Sequence, residues 1–142
     1  MSPRVISVRS DQPLAEAMKV LLANGINSAP VLDPAGKLVG MVGLKDGLRA
    51  PHASRDEALI HRHTTMTERA DAIRQTPVAA VMARAVLTVH ADAPIEEAAA
   101  IMSNRGRHPL PVLDGGRMVG VISRADVIRA MLREASENVE RR

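Results

Sequence analysis

The 142-residue sequence contains no phenylalanine, tryptophan or tyrosine. Every apolar contact must therefore come from Val, Leu, Ile, Met and Ala, which favours many short, closely meshed elements. Any bound ring would lie between aliphatic side chains. The missing aromatics also remove the stacking platforms of single-stranded nucleic-acid binders, and no basic stripe replaces them, so no nucleic-acid partner is expected. Cysteine is absent as well. That excludes a disulfide framework, a thiolate zinc site and a cysteine nucleophile, and leaves redox chemistry silent about compartment. No run approaches the roughly 18 uninterrupted apolar residues of a membrane span, and Met1-Ser2-Pro3-Arg4 carries no apolar signal core. The expectation is a soluble cytoplasmic protein. A strong charge of one sign is also lacking: the formal net charge is +3, with basic residues spread along the chain rather than gathered in a block. Arginine outnumbers lysine, which permits phosphate recognition through the guanidinium fork.

What is present is a repeat. With 46% hydrophobic residues the chain suffices for one compact domain, or for two small halves sharing a core. Residues 5–33 lie over 86–114, and after a one-residue deletion beside Ala35, residues 36–48 lie over 116–128; fifteen of these 42 pairs are identical. About two or three would be expected by chance from average composition. The shared frame includes Asp11/Asp92, Pro13/Pro94, Glu16/Glu97, Gly25/Gly106, Gly40/Gly120, Asp46/Asp126 and the tetrads Pro30-Val31-Leu32-Asp33 and Pro111-Val112-Leu113-Asp114.

Each copy reads as strand, helix, strand, strand, helix. The runs Val5-Ile6-Ser7-Val8 and Val86-Leu87-Thr88-Val89 are short enough for strands. Pro13 and Pro94 fit the first turn of a helix, with Asp11 and Asp92 near the end that favours negative charge. Leu14, Ala17, Met18, Leu21 and Leu22 form an apolar stripe, repeated by Ile95, Ala98, Ala99 and Met102, and Gly25 and Gly106 are placed to end each helix left-handed. Two strands follow, joined by tight turns at Asp33-Pro34-Ala35-Gly36 and Asp114-Gly115-Gly116. A closing helix begins after Gly43 or Ser123. The limits are a first repeat at 1–50, a helical connector at 51–76, a second repeat at 77–132, and a charged tail at 133–142 that is expected to fray. Thr76-Pro77 opens a turn, Val78 to Met82, that leads into the second copy.

The segment Gly120-Val121-Ile122-Ser123-Arg124-Ala125-Asp126 ends an apolar strand and opens a helix with a hydroxyl and a carboxylate three residues apart. Its earlier copy, Gly40-Met41-Val42-Gly43-Leu44-Lys45-Asp46, keeps the aspartate and has glycine for the serine. Ser-x-x-Asp is a helix capping pattern in its own right. It is also a ligand constellation: an ionised carboxylate can accept from both hydroxyls of a ribose, each such bond being worth roughly 1.5–3 kcal/mol, and Ser123 can donate to phosphate beside free backbone N–H groups. Both readings stand on these residues alone.

With the lead-in Val-Met-Ala-Arg-Ala-Val-Leu-Thr-Val at 81–89, the two Pro-Val-Leu-Asp tetrads and the two glycine-to-aspartate segments, the chain resembles a tandem pair of cystathionine-β-synthase-type domains, the CBS pair or Bateman module. The resemblance covers about three quarters of the chain. It implies an α+β fold in which two pseudo-twofold-related repeats pack through their sheets, with adenine nucleotides bound in clefts between repeats and homodimerisation into a disc. It implies a base lying against Val121 and Ile6, polar edge contacts from Asn27, Ser28 and Ala29, and phosphate contacts from His108, Arg107 or Arg124. By the same resemblance a second, weaker cleft at Asp46 would be walled by Met82, Ala85 and Leu87, with its polar edge from His108 to Leu110.

Other signals lead elsewhere. Gly36, Gly40, Gly43 and Gly47 miss the spacing of phosphate loops and read as turn, packing and cap glycines. His52, His61 and His63 lack the carboxylates or cysteines that would complete a metal site. Met18, Met41, Met82, Met102, Met118 and Met131 sit at core phases. No nucleophile–base pair occurs near a sequence elbow, so neither catalysis nor an obligatory cofactor is expected. The function expected is a regulatory module sensing AMP, ADP or ATP, acting on an unidentified partner protein. The alternatives are a ligand-free assembly module with vestigial clefts and a sensor of S-adenosylmethionine.

Overall fold

The structure, a computed structural model, describes residues 5–49, 65–106 and 109–140, with the backbone only for 137–140. These residues fall into two compact units, one drawn from Ile6–Val86 and the other from Met1–Val5 with Leu87–Arg142. Each holds a three-stranded sheet flanked by helices, an α+β arrangement used twice.

In the unit Ile6–Val86, β1 (Val8–Arg9) runs parallel to β2 (Ser28–Leu32), and β2 pairs antiparallel with β3 (Leu38–Gly43). The turn between β2 and β3 is closed by Asp33, whose carboxylate accepts from the N–H groups of Ala35 and Lys37 at 3.0 and 2.8 Å. Helix α1 (Leu14–Ala23) buries Leu14, Ala17, Met18 and Leu21 on one stripe, whereas Leu22, the last member of the sequence pattern, faces solvent. Full burial of Leu14 and Leu21 contributes about 1.5–3 kcal/mol each. Pro13 is the residue before the helix rather than a member of its first turn, a place where its missing N–H is harmless. Gly25, at φ +63°, reverses the chain after Asn24 and lets the Ile26 N–H reach the Leu21 carbonyl. Helix α2 (Leu44–Leu48) closes the repeat after Gly43.

Of the predicted connector, residues 51–64 lie outside the described part, including Pro51, His52, His61 and His63. The remainder forms α3 (Met66–Gln75), started by Thr65, whose hydroxyl accepts from the Glu68 N–H at 3.1 Å. It lays Ala72 and Ile73 against the α1 core. A single 3-10 turn follows at Val78–Ala80.

Residues 76–86, the lead-in to the second repeat by sequence, pack with the first. The Thr76 carbonyl accepts from the Leu14 N–H at 2.7 Å, the N–H groups of Val78 and Ala79 donate to the Gln12 and Ser10 carbonyls, and Met41 and Ala83 exchange two backbone bonds of 2.9 Å. Val78 and Met82 are buried in the same core as Leu14 and Val31. Gly40 makes room for this strap: a Cβ there would stand 2.7 Å from the Met82 sulfur and 2.8 Å from the Ala83 carbonyl oxygen.

The other unit repeats the order. β4 (Val89–His90) is parallel to β5 (Leu110–Asp114), which pairs antiparallel with β6 (Arg117–Ile122); α4 (Ile95–Arg105) ends at Gly106, φ +63°, and packs against α5 (Arg124–Glu140). Its core is Val89, Ala98, Leu110, Val112, Ile122 and Val127.

Three sequence expectations are corrected. The first strand of each repeat is shorter and shifted, Val8–Arg9 and Val89–His90, because only those residues find partners on the central strand. The charged tail continues α5 to Glu140, since Arg133 to Glu140 contains neither glycine nor proline and several good helix formers. Met131 is not core: it is 57% exposed on α5.

Candidate functional site

The constellation at the start of α5 is assembled by the strand-to-helix junction. β6 ends at Ile122, Ser123 follows, and the Val127 N–H donates to the Ser123 carbonyl to begin the helix. The Asp126 Oδ2 atom accepts from the Ser123 N–H at 2.8 Å and from the Ser123 hydroxyl at 2.9 Å, while the Asp126 N–H donates back to Ser123 Oγ at 3.2 Å. The reciprocal capping box is therefore fully formed. Asp126 Oδ1 accepts from Arg129 Nη2 at 2.9 Å. Burial of the carboxylate would raise its pKa, but the bonds from the Ser123 N–H, the Ser123 hydroxyl and Arg129 outweigh it and hold the group below its ordinary value. Asp126 is thus a fixed, ionised acceptor whose side chain is 16% exposed. The single Ser123 proton is engaged with it, so the hydroxyl can donate elsewhere only by releasing Asp126. The N–H groups of Arg124 and Ala125, in the first turn, lack intrahelical acceptors.

The earlier copy keeps the backbone bond to the aspartate and lacks the hydroxyl. The Gly43 N–H donates to Asp46 Oδ2 at 2.7 Å. Gly43 pairs with Ser28 across the sheet, and the Leu44 N–H donates to the Asn27 carbonyl at 2.9 Å. A Cβ on Gly43 would stand 3.1 Å from that carbonyl oxygen, closer than ordinary contact. A serine here would be crowded by Asn27, a local reason for the missing hydroxyl.

The structure gathers Ser123, Arg124 and Asp126 at one helix start, with Val121 half-buried on β6 opposite Pro111. It places Asn27 and Ser28 beside Gly43 and Asp46 in the unit Ile6–Val86. Ala29 and Met82 are core residues of that unit, Ile6 is half-buried, and Ala85 is exposed. Leu110 is core in the other unit, where Leu87 packs on its edge. Arg107 and His108 lie outside the described residues. Sequence reasoning missed Arg129; its place three residues after Asp126, matched by Arg49 after Asp46, was the available signal. Among the described residues no group of three or more His, Asp or Glu could hold a metal ion, and no helix is long and apolar enough to cross a membrane.

Residues 1–53 and 78–133 both match the CBS domain. The chain belongs to the CBS domain family. This CBS pair is 30% identical over 134 residues to a CBS domain-containing protein of Dictyostelium discoideum, spanning 94% of this chain and 88% of that one. In other relatives it corresponds to part of a longer chain: 22% of the L-aspartate semialdehyde sulfurtransferase of Methanocaldococcus jannaschii and 12% of the A-adding tRNA nucleotidyltransferase of Aquifex aeolicus. Among solved structures, the CBS domain pair of protein MJ0100, in complex with 5′-methylthioadenosine and S-adenosylmethionine, is similar with a TM-score of 0.67 at 28% identity, covering 92% of this chain and 93% of that one. CBSX2 of Arabidopsis thaliana, in complex with AMP, shares the fold with a TM-score of 0.71 at 24% identity, covering 94% and 93%. The chain is a CBS-pair regulatory module.

Proposed function

We propose that this CBS pair senses an adenine nucleotide, AMP, ADP or ATP, through Asp126, and signals its presence to a protein it regulates. The observation that carries the reading is the state of the Asp126 carboxylate: ionised, oriented by two bonds from Ser123, and still able to accept. A ribose offers the hydroxyl donors that such a group receives. The ligands in the two related complexes, AMP in one and methylthioadenosine and S-adenosylmethionine in the other, share the adenosine unit. Arg124, at the helix start, is the described basic residue for a phosphate, beside the free N–H groups of the first turn. Asp46, which among the described residues accepts from the Gly43 N–H alone, is the weaker counterpart.

S-adenosylmethionine is the second reading, favoured by the 28% identical relative that holds it. Its cationic sulfonium is poorly matched to a corner containing Arg124 and Arg129. We also propose that the protein acts as a homodimer in the cytoplasm. Leu48 on α2 and Ile128 on α5, equivalent positions of the two repeats, are 75% and 52% exposed, and Met131 and Leu132 extend the second patch.

A thermal-shift panel of AMP, ADP, ATP, S-adenosylmethionine and GTP separates these ligands, since binding at 100 times the dissociation constant stabilises a fold by about 2.7 kcal/mol. Calorimetry on Asp126→Asn, which keeps an acceptor for the helix cap, should then show strongly weakened binding of the best ligand. Unchanged affinity removes the ribose role from Asp126.

A further inference from the structure

We infer that Arg129 is a latch on Asp126 that sets how many ligand hydroxyls this carboxylate can receive. The inference rests on the adenosine reading above. An ionised carboxylate has about four acceptor positions, two on each oxygen. Among the described residues, Oδ2 takes the Ser123 N–H and hydroxyl and Oδ1 takes Arg129 Nη2, which leaves one position. A vicinal diol bonding through both hydroxyls needs two. The donors differ in their freedom to leave. The Ser123 N–H is fixed by the backbone and the Ser123 hydroxyl closes the cap, whereas the guanidinium of Arg129 ends a flexible side chain that is 63% exposed. With Arg129 in place the carboxylate accepts one hydroxyl; with Arg129 displaced it accepts two.

The first repeat shows what sets the latch. Arg49 follows Asp46 at the same spacing, but α2 ends at Leu48 and Arg49 already has non-helical φ and ψ of −103° and 13°. Among the described residues no ion pair joins Arg49 to Asp46. Arg129 lies well inside α5, where a residue three positions on stands over the first turn. Helix length therefore separates the two aspartates. Solvated pairs of this kind are weak, so the latch opens at the expense of about a two- to five-fold change in affinity.

The test compares AMP with 2′-deoxy-AMP by calorimetry on the wild type, Arg129→Met and Arg129→Lys. Loss of a positive charge near phosphate affects both nucleotides alike and cancels in the ratio of their dissociation constants. The preference for AMP over 2′-deoxy-AMP should rise about two- to five-fold in Arg129→Met and stay near the wild-type value in Arg129→Lys, which can still pair. If both nucleotides bind and Arg129→Met leaves the preference unchanged or lowered, the latch is wrong and the adenosine reading survives. If none of AMP, ADP, ATP and their 2′-deoxy forms binds any of the three proteins, both are wrong.

Discussion

Asp126 Oδ2 accepts from both donors of a single residue, the Ser123 N–H at 2.8 Å and the Ser123 hydroxyl at 2.9 Å. One oxygen of the carboxylate is thereby devoted to starting α5, and whatever else Asp126 does falls mainly to the other. The capping role and the ligand role we propose, rivals in the sequence, would fall on different atoms of this carboxylate.

The cap predicts an unequal pair of variants. Ser123→Ala should destabilise the fold by about 1 kcal/mol and Ser123→Gly by only a few tenths, because glycine suits the extended N-cap backbone. Urea unfolding midpoints measure both. Equal losses would mean that the N-cap backbone gives glycine no advantage here, and no loss in either variant that the hydroxyl contributes nothing.

Asp126 also predicts a pH dependence. Its pKa is lowered in the folded protein from an ordinary 3.8. Between the two values the unfolded chain binds more protons, so stability rises with pH through that window. The contribution is complete above the unfolded value and disappears as pH falls through the folded one. Denaturation curves between about pH 2 and 6 should show this component, and Asp126→Asn should lack it.

Two glycines should respond differently to the same added methyl. Gly40→Ala drives a Cβ into the Ala83 carbonyl and the Met82 sulfur, so a loss of about 1–3 kcal/mol is expected. Gly47→Ala meets only the Met18 side chain, sulfur at 2.8 Å, which can move, and gains up to about 1 kcal/mol of helix propensity. Thermal melts should rank Gly40→Ala well below Gly47→Ala.

The exposed apolar residues of α2 and those of α5, each in its own unit, give a prediction about assembly. Leu48→Glu and Ile128→Glu remove apolar surface that the fold itself does not use, so each monomer should keep its fold while light scattering shows a lower mass than the wild type. A wild type that is monomeric at all concentrations would refute the homodimer.

The repeat made the element order legible, because two copies of Pro-Val-Leu-Asp and of glycine-to-aspartate fix the central strands and the closing helix independently. The stripe Leu14, Ala17, Met18, Leu21 was readable for the same reason, and Leu22 fell outside it because a ten-residue helix buries a narrower face than the pattern allowed. Arg129 was not legible as a partner of Asp126: a pair three apart on a surface helix is ordinary in sequence and acquires meaning only when the carboxylate's other acceptor positions are counted. The absence of a hydroxyl at Gly43 was visible, but its crowding by the Asn27 carbonyl depends on strand register, which no single residue announces.

The strap formed by residues 76–86 bears on how this chain can be divided. A fragment ended at Thr76, the limit drawn from the sequence, loses the Val78 and Ala79 N–H groups that donate to the Gln12 and Ser10 carbonyls and empties the places of Val78 and Met82. A buried methionine truncated to alanine already costs about 2–5 kcal/mol, and here two side chains leave together. A fragment carried on to Val86 retains them. The limit drawn from the sequence after Thr76 and the edge of the folded unit at Val86 do not coincide.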